Sequence, residues 1–127
     1  MPSAFLDPIH VLVGPPPDYT GGLLGQFGTV GSFTPVDVSD HLPYITVRVG
    51  GGPRDPNSWS PSLSVQVFGP DRETTHDVAE SVDEFLTTGR IWQFDRCDCI
   101  SAPQEVHWAD DKCRLWVAEY QLVIRRS

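Results

Sequence analysis

The chain reads as an α+β domain: a mainly antiparallel sheet of about four strands, one main helix packed on a face, and an extended Gly/Pro-rich N-terminal arm. Three observations predict it. Apolar residues alternate in YITVRVG (44–50), SLSVQVFG (62–69) and LWVAEYQLVIRRS (115–127). One stripe of 3.6-residue period runs through DRETTHDVAESVDEFLTTG (71–89). Pro and Gly, 12 and 11 of 127 residues, crowd the first forty positions and the stretch GGGPRDPNSWSP (50–61), which places loops there.

In order along the chain, residues 1–40 form the arm and 41–127 the core of a single domain. Pro15-Pro16-Pro17 favours an extended conformation, and GGLLGQFG is too rich in glycine to settle between a short helix at 19–27 and an extended arm. Ile45, Val47 and Val49 share one face of the first strand, as Leu63, Val65 and Val67 share one face of the second. Between them, residues 50–61 predict a long flexible tip. Asp71 is placed as N-cap of the helix, Val78, Ala79, Val82, Phe85 and Leu86 as its buried stripe, and Gly89 as its stop. RIWQFDRCDCI (90–100) is expected as a third strand, with Trp92 and Phe94 on one face. SAPQEVHWADDK (101–112) is expected as a turn, leading into the last strand, in which Trp116, Ala118, Tyr120, Leu122 and Ile124 face the helix.

Composition excludes several functions. The net charge is −8 and Lys112 is the only lysine, so the chain lacks the basic surface that gains counterion release on nucleic acid. The N-terminus has no positive leader region, and the uncharged run 19–36 is too broken to span a bilayer; a soluble protein made in the cytoplasm is expected. Cys97, Cys99 and Cys113 are an odd count that argues against a disulfide scaffold, although Cys-x-Cys on one face with Cys113 at the next strand would let the three be neighbours in space. His10, His41, His76 and His107 are scattered, and no cofactor, metal site or nucleophile motif is expected. The one enzymatic alternative is metal-assisted hydrolysis at His107, Asp110 and Cys113.

The remaining chemistry is that of contact. An indole in a loop, Trp59, flanked by the charges Arg54 and Asp55, either has the role of an interface anchor or folds back onto the edge of its own sheet. Arg125 and Arg126, at the end of a long strand, are placed to meet an acidic helix face, Glu80, Asp83 and Glu84, of a neighbouring copy. On this reading Trp59→Ala weakens assembly and leaves the fold intact.

The order of these segments resembles the tail terminator proteins of long-tailed phages, especially those of actinobacteria. The resemblance covers residues 41–126 and is carried by Leu42-Pro43-Tyr44-Ile45-Thr46-Val47, by Ser62 to Phe68, and by the following helix Asp77-Val78-Ala79-Glu80-Ser81-Val82. Val106-His107-Trp108-Ala109-Asp110 and Arg114-Leu115-Trp116-Val117-Ala118 with Tyr120 complete it. It departs at the N-terminus, where the family has an amphipathic helix and this chain has DPIHVLVGPPPDYTGGLLGQFG. The resemblance implies a homo-hexameric ring in the virion, at the head–tail junction. Such a ring caps the tail tube protein, ends its elongation and meets the head-neck connector, while DNA passes through the lumen without specific binding. Another neck or head-completion (stopper) protein, or a small acidic binding or inhibitor module, is the alternative.

Overall fold

The structure, a computed structural model, describes residues 5–15, 18–89, 91–108 and 112–125. A six-stranded sheet, antiparallel except at one edge, carries one long helix on a single face. The strands are β1 (Thr29–Gly31), β2 (Tyr44–Val49), β3 (Ser58–Trp59), β4 (Ser62–Gly69), β5 (Arg96–Val106) and β6 (Arg114–Arg125); the helices are α1 (Pro8–Leu12) and α2 (Arg72–Thr87). Neighbours run β1-β2-β4-β6, with β5 on the far side of β6.

The alternation seen in the sequence sets the register. Ile45 lies opposite Val67, Val47 opposite Val65, and these in turn opposite Trp116 and Ala118, so one face of three strands is continuously apolar. A one-residue slip would turn each of these side chains to the other face, which is why the register is so well specified. β3 pairs with β6 in the same register as β4: Trp59 opposes Ile124, and Ser62 opposes Gln121. The two are thus one strand interrupted at Ser60-Pro61, where proline brings no N–H to the ladder. The Pro61 carbonyl still accepts the Leu122 N–H at 3.0 Å.

α2 begins where Asp71 takes the Thr74 N–H at 2.7 Å and ends before Gly89, whose φ of 75° suits a residue without a Cβ. Thr75, Ala79, Val82 and Leu86 are its buried residues, with Val78 and Phe85 half-buried beside them. They close the core against Ile45, Val47, Leu63, Val65, Tyr120, Leu122 and Ile124. Gly69 lets the helix approach: a Cβ there would stand 2.0 Å from the Thr75 Oγ1.

Residues 5–15 and 18–40 do not form an extended arm, while Pro16 and Pro17, read as extended, lie outside the described residues. α1 starts with Pro8 after Asp7, whose carboxylate accepts the Ile9 N–H at 2.9 Å. Leu12, Val13 and, in a 3₁₀ turn at Leu23–Gln26, Leu24 are buried in the same core as α2. Phe27 meets Phe85 of α2 edge-on, centroids 5.6 Å apart. The glycines that argued against regular structure serve close approach instead; a Cβ on Gly22 would lie 2.4 Å from the Val13 backbone.

β5 also differs from expectation. It starts at Arg96 and runs to Val106, through the first half of the stretch expected as a turn. Residues 91–95 form a turn in which Phe94 is buried and Trp92 is 85% exposed, so the two do not share a face. Two bulges, at Cys99/Ser101 and Ser101/Gln104, hid this strand by breaking its alternation.

If the N-terminal segment belongs to the core, Leu24→Ala will cost about 2–5 kcal/mol of stability, as for other buried leucines. Denaturant unfolding measures this; a loss below about 0.5 kcal/mol would mean that the segment is an appendage.

Candidate functional site

The eight residues expected at contacts fall in two places, with Arg126 outside the described residues. Arg54, Asp55, Trp59 and Arg125 meet at one end of the sheet. There the stretch expected as a flexible tip is a small hairpin: the Ser60 N–H reaches the Pro53 carbonyl at 2.8 Å and the Asp55 N–H the Ser58 carbonyl at 2.9 Å. Asp55 organises its turn by accepting the N–H groups of Asn57 and Ser58, at 2.7 and 2.8 Å. These bonds, Asn57 first, hold its carboxyl below the usual carboxylate range. The Arg54 guanidinium lies 4.5 Å from the Trp59 ring centroid and 4.7 Å from that of Phe5. Trp59 is half-buried, packs on the core and joins the ladder to β6.

Arg125, opposite Ser58, pairs with Asp95 at 3.2 Å. Asp55, Asp95 and Arg125 line one open hollow of about 390 Å³. Trp59 and its neighbours are therefore engaged within their own chain, as the alternative of a tryptophan folded back onto the sheet edge has it. The expectation that its removal leaves the fold untouched is corrected by this packing.

Glu80, Asp83 and Glu84 lie on α2 with different surroundings. Glu84 is exposed, and Glu80 is exposed and 3.5 Å from the His76 Nε2. The His76 ring lies 4.9 Å from that of Trp116, and Arg72, Glu73, His76 and Trp116 border a hollow of about 360 Å³. Asp83 is half-buried and accepts the Tyr120 O–H at 2.7 Å. It fastens the helix to β6 and is not part of an open acidic face.

Cys97 and Cys99 sit beside this bond on the helix side of β5, opposite Leu122 and Tyr120. Burial pushes the Cys97 thiol up to about 12, with Asp98, Cys99 and Asp83 adding to the shift. Tyr120 is also raised well above its ordinary range, by burial first and then by its bond to Asp83. Cys113 is elsewhere: it is buried with Val38, Tyr44, Phe68 and Leu115 on the opposite face of the sheet. Seven residues, roughly 20 Å along the strand, separate it from the Tyr120 level, so the neighbourhood of three thiols that the spacing allowed does not form. Among the described residues there is no disulfide and no group of three or more potential metal ligands. His107 is exposed and Asp110 lies outside the described residues.

The sequence reading missed the apolar residues left in water: Phe33 (66% exposed), Val36, Trp92 and Ile100 (63%). Phe33 and Val36 flank Pro35 in a loop whose pattern gave no signal, and Ile100 is set by a bulge. Among the described residues no helix is long and apolar enough to cross a membrane. The chain matches no protein-family model, and no curated protein sequence matches it significantly.

Two predictions follow from this geometry. Trp59→Ala costs about 1–3 kcal/mol in thermal or denaturant unfolding, because a half-buried ring is lost from the core and from the Arg54 stack. The second concerns alkali. Cys97 and Tyr120 are neutral when folded and ionise at their ordinary values, 9.0 and 10.0, when unfolded. Their contribution is whole below about pH 9 and is lost as pH rises, that of Cys97 up to about 12. Cys97→Ala will move the onset of alkaline unfolding upward by about one pH unit, read by tryptophan fluorescence.

Proposed function

We propose that this chain is a phage tail terminator, a structural protein without catalytic activity that forms a ring on the end of the tail tube, stops its elongation and meets the head-neck connector. The observation that carries the reading is the pair of unlike sheet edges, β1 and β5, on opposite sides of one subunit. A ring requires two different patches per copy, each complementary to the other, and closes when the rotation between copies returns to the start. Sheet edges supply such patches by main-chain pairing as well as by side chains.

The segments that resemble the tail terminators support the same reading. Leu42–Val47, Ser62–Phe68, Asp77–Val82 and Arg114–Tyr120 correspond to β2, β4, α2 and β6, the elements around which this fold is built. A net charge of −8 suits a wall past which DNA slides without adhering.

Electron microscopy of lysates from a phage lacking this gene tests the reading. Overlong tails of irregular length, unattached to filled heads, are expected. Tails of normal length beside separate heads would move the protein to a stopper or other joining role in the neck; normal particles would overturn any role in assembly and favour the small binding module.

A further inference from the structure

Cys97 and Cys99 have no part in the assembly proposed above. They lie opposite Leu122 and Tyr120 of β6, so both thiols stand on the helix side of β5 with a single residue between them. Cys99 is exposed and Cys97 half-buried, while Cys113 is buried on the opposite face of the sheet and out of reach. A carboxylate of α2 meets the pair: Asp83 accepts the Tyr120 O–H at 2.7 Å and is hydrogen-bonded to Cys99. Burial first, and then neighbouring charge, favours the protonated form of both thiols, so they stay reduced at neutral pH until an oxidant is supplied.

Two residues of strand span about 6.4–6.8 Å, the upper end of the Cα separations that a disulfide bridges. Closing the bridge draws the two Cβ atoms to about 4 Å apart and so pinches the strand. A strand paired on both sides would resist this. Among the described residues β5 pairs only with β6, and a bulge follows directly after Cys99, so the backbone is free to bend on its outer side and at its next residues.

We propose that Cys97 and Cys99 are a reversible redox pair, closing to an intrachain disulfide under peroxide and reopening with a thiol reductant, with β5 pinched beside the Asp83–Tyr120 bond in the oxidised form. Cys99, the exposed thiol, reacts first. As thiolate it takes one oxygen from hydrogen peroxide, becoming a sulfenic acid and releasing hydroxide, which the thiol's proton turns into water. The Cys97 sulfur then attacks that of Cys99; the S–O bond breaks, the S–S bond forms and water leaves. Two thiols and one peroxide thus give one disulfide and two waters. So short a ring gains little chain entropy, and it bends the ladder at Leu122 and Tyr120, so the oxidised form is the less stable one. The pair requires only this fold and is independent of the ring reading.

Peroxide treatment of the purified full chain tests it, followed by alkylation of the remaining thiols and peptide mapping. The expected product has lost two of its three free thiols and two hydrogens, and carries a link between Cys97 and Cys99 within one chain. Dithiothreitol should restore the starting mass, and the oxidised form should unfold at lower denaturant than the reduced. Cys113→Ser is expected to behave as wild type, and Cys97→Ser to give no intrachain link. A wild-type Cys99 that goes on to sulfinic acid with Cys97 untouched, a Cys99–Cys99 dimer as the main product, or a link to Cys113 would each overturn the pair. An oxidised chain more stable than the reduced one would overturn the pinching of β5.

Discussion

The fold depends on β6 being paired along both sides. Its twelve residues alternate between core and the opposite face without a break, and β4 with β3 on one flank and β5 on the other take their register from it. α2 then lies across an apolar surface supplied chiefly by β6 and β4, fastened by Tyr120 to Asp83. A strand so placed has no edge of its own, so every irregularity of the sheet is displaced outward: the Pro61 break in one neighbour, two bulges and a proline in the other. The exposed strands are the irregular ones, and that is also where contact with other chains becomes possible.

Much of this was legible because it rests on local periodicity. β2, β4, α2 and β6 keep their periods over whole elements, and Asp71 and Gly89 mark the helix ends as their chemistry requires. The N-terminal segment, left open between a short helix and an extended arm, and β5, expected to end at 100 where it runs on to Val106, were less legible for a common reason. Their structure comes from tertiary contact, and local pattern records that poorly. Gly14 and Gly22 sit where backbones touch, and a residue count of glycine alone reads such positions as loose. In β5, Ile100 at a bulge and Pro103 within the strand both break the alternation on which recognition of a strand depends.

The candidate contacts were legible as chemistry and not as placement. Trp59 with Arg54 and Asp55 stood out as an aromatic in a polar loop, and the fold accounts for the ring within its own chain, by Phe5, Arg54 and the β6 ladder. Asp83 looked like one acid among three until Tyr120, thirty-seven residues away, proved to be its partner. Phe33 and Val36 carry no pattern at all; only the fold shows that they are left in water, at the sheet's far edge from Ile100.

The interruption at Pro61 has a mechanical consequence. β3 holds β6 by only two residue pairs, separated from the eight of β4 by Ser60 and Pro61, the second of which has no N–H to give. The end of the sheet carrying Trp59 and Arg125 is therefore held less by its ladder than by side chains: Trp59 packed on the core and under Arg54, the Gln121 amide on the Ser60 carbonyl, and Arg125 on Asp95. Side-chain chemistry there takes over a task that main-chain pairing performs along β4.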